Sequence, residues 1–316
     1  MKVLVTGGNG LVGSALLRSL ATRPGCRLRA TVRAIPPSPV ANCEYVVVGD
    51  LGDPADCRGI ATGCDVVVHT AARVHVMNES DGDAHAAYRR TNVEGTLNLA
   101  REAVRCGVRR FIFLSSIKVN GESTTIRPFT EDGPPNPEGP YAASKWEAEQ
   151  GLREICAGAG MQYVVVRPPL VYGPGVRANF RALALAVGNS IPLPFGSIGN
   201  KRSLVALDNL VDFLCACVDH PQAADQTFLV SDGRDLSTPD LVRAMAGALN
   251  RRARLLPVPP SMLLAVATMA GKRQAAGRLL ENLQVDASKA QRMLGWRPPI
   301  GVEEGMRRAM QGMHRG

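Results

Sequence analysis

The chain has 316 residues, enough for one large domain or two smaller ones, and its 45% hydrophobic and 21% charged residues exclude an intrinsically disordered protein. The net charge of +9 suits an anionic ligand or an acidic membrane surface, whereas the aromatic content of 4% argues against nucleic acid as the partner. The eight cysteines are scattered, without a CxxC pair or a histidine at zinc-ligand spacing. We therefore expect reduced thiols in a cytoplasmic protein and no metal site.

Short β-branched strands alternate with helical segments through the first half of the chain. The strands are predicted at Lys2–Thr6, Arg27–Arg33, Glu44–Val48, Asp65–His69, Arg110–Ser115 and Gln162–Arg167. The helices between them are predicted at Leu11–Thr22, Asp53–Ala61, Ala84–Arg105 and Tyr141–Gly158. This alternation predicts right-handed βαβ crossovers and a doubly wound parallel α/β sheet, which binds ligands at the carboxyl ends of its strands.

A glycine-rich turn, Thr6-Gly7-Gly8-Asn9-Gly10-Leu11-Val12-Gly13, connects the first strand to the first helix. Glycines at 7, 10 and 13 permit a tight turn, close approach of the backbone to a pyrophosphate, and close packing of helix on strand. The helix N-terminus at Leu11 and Val12 offers N–H groups and a positive dipole end to phosphate. The turn therefore predicts a dinucleotide site in a Rossmann-type domain.

Two further positions bear on the dinucleotide. Arg33 ends the second strand, where an NAD site usually carries an acidic residue for the ribose hydroxyls. Arg33 can stack on adenine or pair with a 2′-phosphate, which favours NADP, or it can be a solvated strand-end arginine. Asp50 and Leu51 follow the third strand and are placed to contact the adenine ring and its amino group.

The chain changes character after Arg167, where prolines and glycines interrupt it repeatedly. We expect a dinucleotide-binding domain over residues 1–170, to which residues 203–232 return. A smaller, partly discontinuous α/β substrate lobe is expected over 171–202 and 233–316. The apolar stretch 262–270 is too short to span a bilayer and is predicted to be a buried helix, with membrane-surface association as the less favoured alternative.

Tyr141 and Lys145 lie four residues apart, so they project from one face of a helix. The ammonium group favours the phenolate, and we expect it to lower the tyrosine pKa from about 10 towards neutrality. A hydroxyl such as that of Ser116 can hydrogen-bond the same substrate oxygen. The three side chains predict a site that moves a proton on or off an alcohol or carbonyl.

Taken together, these motifs resemble the extended short-chain dehydrogenase/reductase superfamily, and more narrowly its nucleotide-sugar epimerases of the UDP-glucose 4-epimerase-like group. Matching landmarks run along essentially the whole chain and include His69-Thr-Ala-Ala72, Asn92, Arg167-Pro-Pro-Leu-Val-Tyr-Gly-Pro174 and Lys201-Arg-Ser-Leu-Val205. The resemblance implies a nicotinamide cofactor, a UDP-sugar substrate and a homodimer formed by two long helices, near 84–105 and 141–158.

The resemblance also assigns roles to individual residues. Tyr141 is the implied acid/base, Lys145 the residue that lowers its pKa and binds the nicotinamide ribose, and Ser116 the donor to the reacting oxygen. Four more residues are implied to surround the cofactor: Ala71, Ala72, Asn92 and Pro168. The implied contacts to the nucleotide diphosphate are Asn179, Arg202 and Arg278. Helix capping by Asn92 or Asn179, and simple solvation of Arg202, are the structural alternatives.

Two departures from the epimerase pattern leave the sugar and the cofactor open. Asn120 replaces the tyrosine usual before the glycine of the serine motif, and Leu170 replaces an asparagine that often contacts substrate. The leading prediction is a 4-epimerase of a UDP-hexose or UDP-N-acetylhexosamine, for which NAD is favoured. The alternatives are an NADPH-dependent 4-ketoreductase of a 4-keto-6-deoxy nucleotide sugar and a non-catalytic NAD(P)-binding regulator. A dehydratase is less favoured, because Ile117 stands where an acidic pair would begin.

Overall fold

The structure, a computed structural model, describes residues 1–74, 81–176 and 178–311. A parallel sheet of seven strands runs through the middle of the molecule in the order β3-β2-β1-β4-β5-β6-β9. Its strands are β1 (Lys2–Thr6), β2 (Arg27–Val32), β3 (Cys43–Val47), β4 (Val66–His69), β5 (Arg110–Leu114), β6 (Gln162–Arg167) and β9 (Gln226–Leu229). The remaining strands, β7 (Leu170–Tyr172) and β8 (Leu204–Ala206), pair with each other in parallel. The predicted doubly wound α/β sheet is confirmed.

Eleven α-helices lie within the described residues. They are α1 (Leu11–Ala21), α2 (Asp81–Tyr88), α3 (Gly95–Arg105), α4 (Gly139–Ala159), α5 (Ala178–Gly188), α6 (Leu207–Asp219), α7 (Thr238–Ala248), α8 (Pro260–Met269), α9 (Arg273–Leu280), α10 (Ser288–Leu294) and α11 (Val302–Gln311). A π-helical segment, Arg89–Glu94, joins α2 to α3. No helix in the described part of the chain is long and apolar enough to cross a membrane.

The central strands are buried on both faces, as a parallel sheet requires. Val3, Leu4 and Val5 of β1 are fully buried. Val3 and Val5 belong to a core that α1 and α6 cover, whereas Leu4 belongs to the core beneath α3 and α4. Because the strands are parallel, their carboxyl ends lie at one edge, and the loops that leave this edge carry the candidate site.

A third core holds the C-terminal lobe together. Phe180 from α5, Met245 from α7 and Met306 from α11 are its buried members, and β7 and β8 also contribute to it. The hydroxyl of Tyr172 on β7 donates to Asp232 at 2.7 Å, and this buried bond connects β7 to the segment that follows β9.

One helix prediction was wrong in its extent and another in its burial. The helix expected over 53–61 is only a short 3-10 turn, Pro54–Cys57. It ends there because Arg58 has an extended backbone and Gly59 has a positive φ of 75°. The apolar stretch 262–270 was expected to be a buried helix, and α8 does cover most of it, yet none of its residues is buried. Within 262–270 only Leu263 and Ala267 are half-buried, and the other residues are exposed. Too little of the chain packs on α8 to exclude solvent from it.

Candidate active site and cofactor-binding loop

The glycine turn after β1 has no room for side chains. Gly7 has a φ of +70°, and a Cβ there would lie 2.9 Å from the backbone of Ala71. A Cβ on Gly13 would lie 2.2 Å from the carbonyl oxygen of Gly7. The amide of Gly10 donates to that same carbonyl at 2.8 Å and closes the turn. Only glycine fits at these positions, so the turn is tight and its backbone can be approached closely by a ligand.

The N-terminus of α1 is free to bind an anion. Gly10 is its N-cap and provides no side-chain cap, and the first turn carries no acidic residue. The amides of Leu11 and Val12 therefore have no intrahelical acceptor. Leu11 borders a cavity of about 590 Å³ that reaches from the glycine turn to residues 174–176 and Leu207. Its lining residues are Asn9, Gly10, Leu11, Ser14, Arg18, Pro174, Gly175, Val176 and Leu207.

Arg18 is a cavity residue that the sequence reasoning missed. It lies one turn beyond Ser14 on α1, so its guanidinium group adds positive charge to the cavity that the helix N-terminus borders. The spacing of Ser14 and Arg18 from the glycine turn was the available signal, because residues at 11, 14 and 18 share one face of a helix. A pyrophosphate fits this cradle of free amides, dipole and cation.

The residues predicted near the adenine end lie where β2 and β3 finish. Arg33 is exposed, and the side-chain amide of Asn9 donates to the Ala34 carbonyl at 2.6 Å, which ties the glycine turn to this strand end. The Asp50 carboxylate accepts from Gly52 at 2.9 Å and pairs with Arg90 at 2.7 Å. Leu51 beside it is buried. Asp50 is thus already held in position by two partners.

A buried chain of hydrogen bonds runs below the site. Thr96 donates to the Asn92 carbonyl at 2.6 Å, so its oxygen accepts from Nε2 of His69 at 3.0 Å. Nδ1 of His69 must then accept from the Thr6 hydroxyl at 2.6 Å. Burial, and secondarily the charge of Lys145, lowers the pKa of His69 to about 3. His69 is therefore a neutral, structural residue that connects β1 to α3.

Asn92 lies in the π-helical segment, a geometry that often marks a functional position. Its carboxamide is buried and bonds both backbone groups of Arg73, accepting from the amide at 2.8 Å and donating to the carbonyl at 3.1 Å. It also donates to the Ser144 hydroxyl at 2.9 Å, and that hydroxyl donates to the Tyr141 carbonyl at 2.8 Å. Asn92 thus connects the segment that follows Ala71 and Ala72 to the first turn of α4.

Ser116, Tyr141 and Lys145 meet at the carboxyl end of β5. α4 begins at Gly139 with Pro140 in its first turn, which places the half-buried Tyr141 at the helix entrance. The side chains of Ser116 and Tyr141 form a hydrogen bond. Lys145, one turn further along α4, is buried, donates to the Leu114 carbonyl at 2.9 Å and lies 4.6 Å from the centre of the Phe113 ring.

The segment after β6 lies against the serine turn. The amide of Ile117 donates to the carbonyl of Pro168 at 3.0 Å, so Pro168 is fixed one residue away from Ser116. Pro168 itself is buried. This backbone bond brings the carboxyl ends of β5 and β6 together beside the tyrosine.

The electrostatics of this group differ from the expectation. Burial raises the pKa of Tyr141 to about 12, although its hydrogen bond with Ser116 acts to lower it. Burial also lowers the pKa of Lys145 to about 7, against the opposing effect of the Glu149 carboxylate. The predicted lowering of the tyrosine pKa towards neutrality is therefore not seen, because burial of the Tyr141 hydroxyl outweighs the lowering effect of its hydrogen bond with Ser116.

A buried ion pair next to the site was also missed. Arg167 donates to Glu149 through Nε at 2.9 Å and through Nη2 at 2.6 Å, and both residues are almost completely buried. The Ser115 hydroxyl donates to the same carboxylate at 2.6 Å, and Nη1 of Arg167 donates to Asn120 at 3.0 Å. The pair spans β6 and α4, eighteen positions apart, so no local sequence pattern reveals it.

The three residues predicted to hold a diphosphate lie in the C-terminal lobe. Asn179 is exposed in the first turn of α5. Arg202 is half-buried, forms backbone bridges with Leu236 and Leu283, and donates from Nη1 to the Glu281 carbonyl at 3.0 Å. Burial is the main cause that lowers its pKa, and the positive charge of the exposed Arg278 acts in the same direction. Arg202 and Arg278 are therefore neighbouring cations, and Arg202 is not a freely solvated loop residue.

The fold and this arrangement are those of a dinucleotide-dependent enzyme of the extended short-chain dehydrogenase/reductase class, as the sequence predicted. The model of the NAD-dependent epimerase/dehydratase family matches residues 3–231, and the chain belongs to that family. A UDP-glucose 4-epimerase of Vibrio cholerae is 44% identical over 98% of this chain and 94% of its own length. The predicted NAD-dependent enzyme of the epimerase family is confirmed.

Solved structures show the same fold over the whole chain. The UDP-glucose 4-epimerase of Thermotoga maritima, solved with UDP-glucose, has a TM-score of 0.78 and 22% identity, and covers 100% of this chain and 99% of that one. The UDP-glucuronic acid 4-epimerase of Bacillus cereus, solved with NAD, has a TM-score of 0.79 and 20% identity with the same coverage. The uncapped amides at the start of α1 and the compact glycine turn fit such a dinucleotide.

Proposed function

We propose that this protein is an NAD-dependent UDP-sugar 4-epimerase and that UDP-glucose is the first substrate to test. The observation that carries the proposal is the meeting of Ser116, Tyr141 and Lys145 at the carboxyl end of β5. The uncapped start of α1 and the neighbouring cations Arg202 and Arg278 support it. The V. cholerae relative named as a UDP-glucose 4-epimerase supports the choice of sugar nucleotide.

The side chains divide the chemistry between them. Bound NAD supplies a reversible hydride acceptor for sugar carbon 4. Tyr141 takes the proton from the sugar 4-hydroxyl and returns it after the 4-keto sugar has turned over, while Ser116 hydrogen-bonds the reacting oxygen. Because burial raises the tyrosine pKa to about 12, the phenolate needs a nearby cation, and Lys145 is the one that α4 provides.

Epimerisation also requires that the nucleotide be held firmly and the sugar loosely. We assign Asn179, Arg202 and Arg278 to the diphosphate, and each charge-assisted contact of this kind contributes about 1.5–3 kcal/mol. The assignment is supported by Arg202, whose half-buried side chain donates from Nη1 to the Glu281 carbonyl and lies near a second cation, Arg278. Leu170, where the resemblance implies an asparagine that contacts substrate, is 49% exposed and offers no polar group that would restrain the sugar.

For the cofactor we propose the following contacts: Gly7, Gly10, Leu11, Val12, Arg33, Asp50, Leu51, Ala71, Ala72, Asn92, Lys145 and Pro168. The free amides at the start of α1 support the pyrophosphate assignment, and the tie between Asn9 and Ala34 places the exposed Arg33 beside the same loop. Both carboxylate oxygens of Asp50 already have partners, the Gly52 amide and the Arg90 guanidinium group. We therefore assign Asp50 to the rim of the adenine site and not to an ionic contact with the cofactor.

We propose that residues 1–170 and 203–232 form the dinucleotide-binding domain and that residues 171–202 and 233–316 form the substrate lobe. The parallel pairing of β9 with β6 supports the return of 203–232 to the sheet. We further propose a cytoplasmic homodimer that associates through α3 and α4. Eight free cysteines are consistent with a reducing compartment. Light scattering on the purified protein tests the oligomeric state.

A labelled substrate tests the function. Purified protein is incubated with UDP-glucose that carries deuterium at carbon 4, with no added cofactor, and the product sugar is analysed by NMR. A 4-epimerase yields UDP-galactose that retains the deuterium, because the same hydride leaves and returns. Failure to react until NADPH and a 4-keto sugar are supplied would replace the proposal with the 4-ketoreductase that Arg33 favours. Loss of the label to solvent would exclude the hydride mechanism.

A further inference from the structure

Helix α8 exposes an apolar surface that nothing in the described chain covers. Met262, Val266 and Met269 lie at positions i, i+4 and i+7, so they share one stripe of the helix. These side chains are 60%, 54% and 82% exposed. Leu263 and Ala267, which face away from this stripe, are the half-buried positions through which α8 rests on the protein. The apolar stripe therefore points outwards.

The segment around α8 carries charge of one sign only. Residues 241–280 contain seven lysines and arginines and no aspartate or glutamate. Five of these cations flank α8 and have exposed side chains: Arg251, Arg252, Arg254, Lys272 and Arg273. Other stretches, such as 1–43, also carry several cations and no acidic residue, so the distinguishing feature of 241–280 is that its exposed cations flank an exposed apolar stripe. The apolar stripe and the cations together can attract a partner that is both apolar and negatively charged.

We propose that the outward face of α8 and its flanking cations dock on a lipid bilayer that contains anionic headgroups. An exposed helix with apolar residues on one side and cations at its ends lies in the plane of the interface, with its apolar side chains among the acyl chains. Each lysine or arginine close to an anionic surface strengthens binding by about fivefold. Met262 and Met269 are unbranched and adapt to such a disordered environment.

The charge distribution favours a membrane over a second copy of this chain as the occupant of α8. Two copies joined through α8 would bring two sets of five cations together without an acidic residue of 241–280 to compensate them. An acidic bilayer instead provides the opposite charge and an apolar interior at once. The inference depends on the surface alone and does not rest on the proposed epimerase reaction.

Vesicle co-sedimentation tests the proposal. Full-length protein is mixed with vesicles of phosphatidylcholine alone or of phosphatidylcholine with phosphatidylglycerol, and the bound fraction is measured at low and high salt. We expect binding to the mixed vesicles, little binding to pure phosphatidylcholine, and release by salt. The Lys272→Gln/Arg273→Gln variant should bind about 25-fold more weakly. The Met262→Gln/Met269→Gln variant should bind at least about tenfold more weakly.

Arg58→Gln/Arg109→Gln is the matched control, because it removes two exposed cations from the opposite, amino-terminal side of the sheet. Far-UV circular dichroism and NAD titration confirm that each variant remains folded. The proposal is overturned if wild-type protein does not sediment with the mixed vesicles, or if the control loses as much binding as the Lys272/Arg273 variant. Self-association that the Met262/Met269 variant abolishes, seen by light scattering without vesicles, would identify a second copy as the occupant and also overturn it.

Discussion

Replacing Arg167 by methionine should destabilise the protein strongly. The substitution keeps most of the apolar side-chain volume but removes both hydrogen bonds to Glu149, at 2.9 and 2.6 Å, and the one to Asn120 at 3.0 Å. The fully buried Glu149 carboxylate keeps only the Ser115 hydroxyl and Arg153, whose Nη2 lies 3.2 Å away. Breaking a buried pair from one side costs about 3–5 kcal/mol. Since Arg153 remains, we expect about 3 kcal/mol.

The assay is urea unfolding followed by tryptophan fluorescence. Trp146 lies beneath both guanidinium groups, 5.7 Å from Arg167 and 5.6 Å from Arg153, so its emission reports this region directly. Arg243→Met is the matched control, because its ion pair with Asp240 is solvent-exposed and should change the free energy of unfolding by about 1 kcal/mol or less.

A double variant separates charge from packing. Arg167→Met/Glu149→Met removes both buried charges, so it should recover most of the stability that Arg167→Met loses. The reasoning is refuted if Arg167→Met costs no more than the exposed control, or if the double variant is less stable than the sum of the two single changes. Because Ser115 precedes Ser116 and Glu149 follows Lys145 by one turn, the single variant should also lose turnover.

Two further predictions follow from the glycine turn and from Lys145. Gly13→Ala places a Cβ 2.2 Å from the Gly7 carbonyl, so the glycine turn must shift, and overpacking should lower the free energy of unfolding by about 1–3 kcal/mol. The shifted turn should also weaken NAD binding in a calorimetric titration, whereas Gly158→Ala, with no atom within 4 Å, should leave both unchanged. Lys145 has a folded pKa of about 7 against 10.5 when exposed, so the unfolded chain binds more protons in that range and stability rises with pH above 7. Lys145→Met should remove up to about 1.4 kcal/mol per pH unit of that rise in cofactor-free protein; equal slopes in the two proteins would contradict the burial argument.

The sequence predicted the sheet well because its signal is local. The bounds of β1 to β6 agree within one residue with runs of β-branched residues, and parallel strands that are buried on both faces have few other interpretations. The glycine turn was predictable for the same reason, since its strand–turn–helix context is contiguous. The helix over 53–61 failed because a single backbone reversal at Gly59 outweighed the apolar pattern of Cys57, Ile60 and Ala61.

Other features depend on what lies opposite a residue, which one sequence does not show. Hydrophobicity predicted a buried α8, yet burial requires a partner surface, and none covers Met262 or Met269. The pKa of Tyr141 was misjudged because spacing reveals the neighbouring Lys145 but not the desolvation of both groups. Arg167 was noted only as a strand end, whereas its role depends on Glu149, a partner that folding brings across from α4.

The most direct test of the proposed function is the turnover of Tyr141→Phe with UDP-glucose. Tyr163→Phe is the control, because this tyrosine lies near the amino end of β6, away from the carboxyl edge that holds the site. We predict that Tyr141→Phe retains the fold and binds NAD, while its interconversion of UDP-glucose and UDP-galactose falls by about 10²–10⁴-fold and that of Tyr163→Phe does not. Turnover of Tyr141→Phe close to that of the wild type would contradict the assignment of Tyr141 as the acid/base.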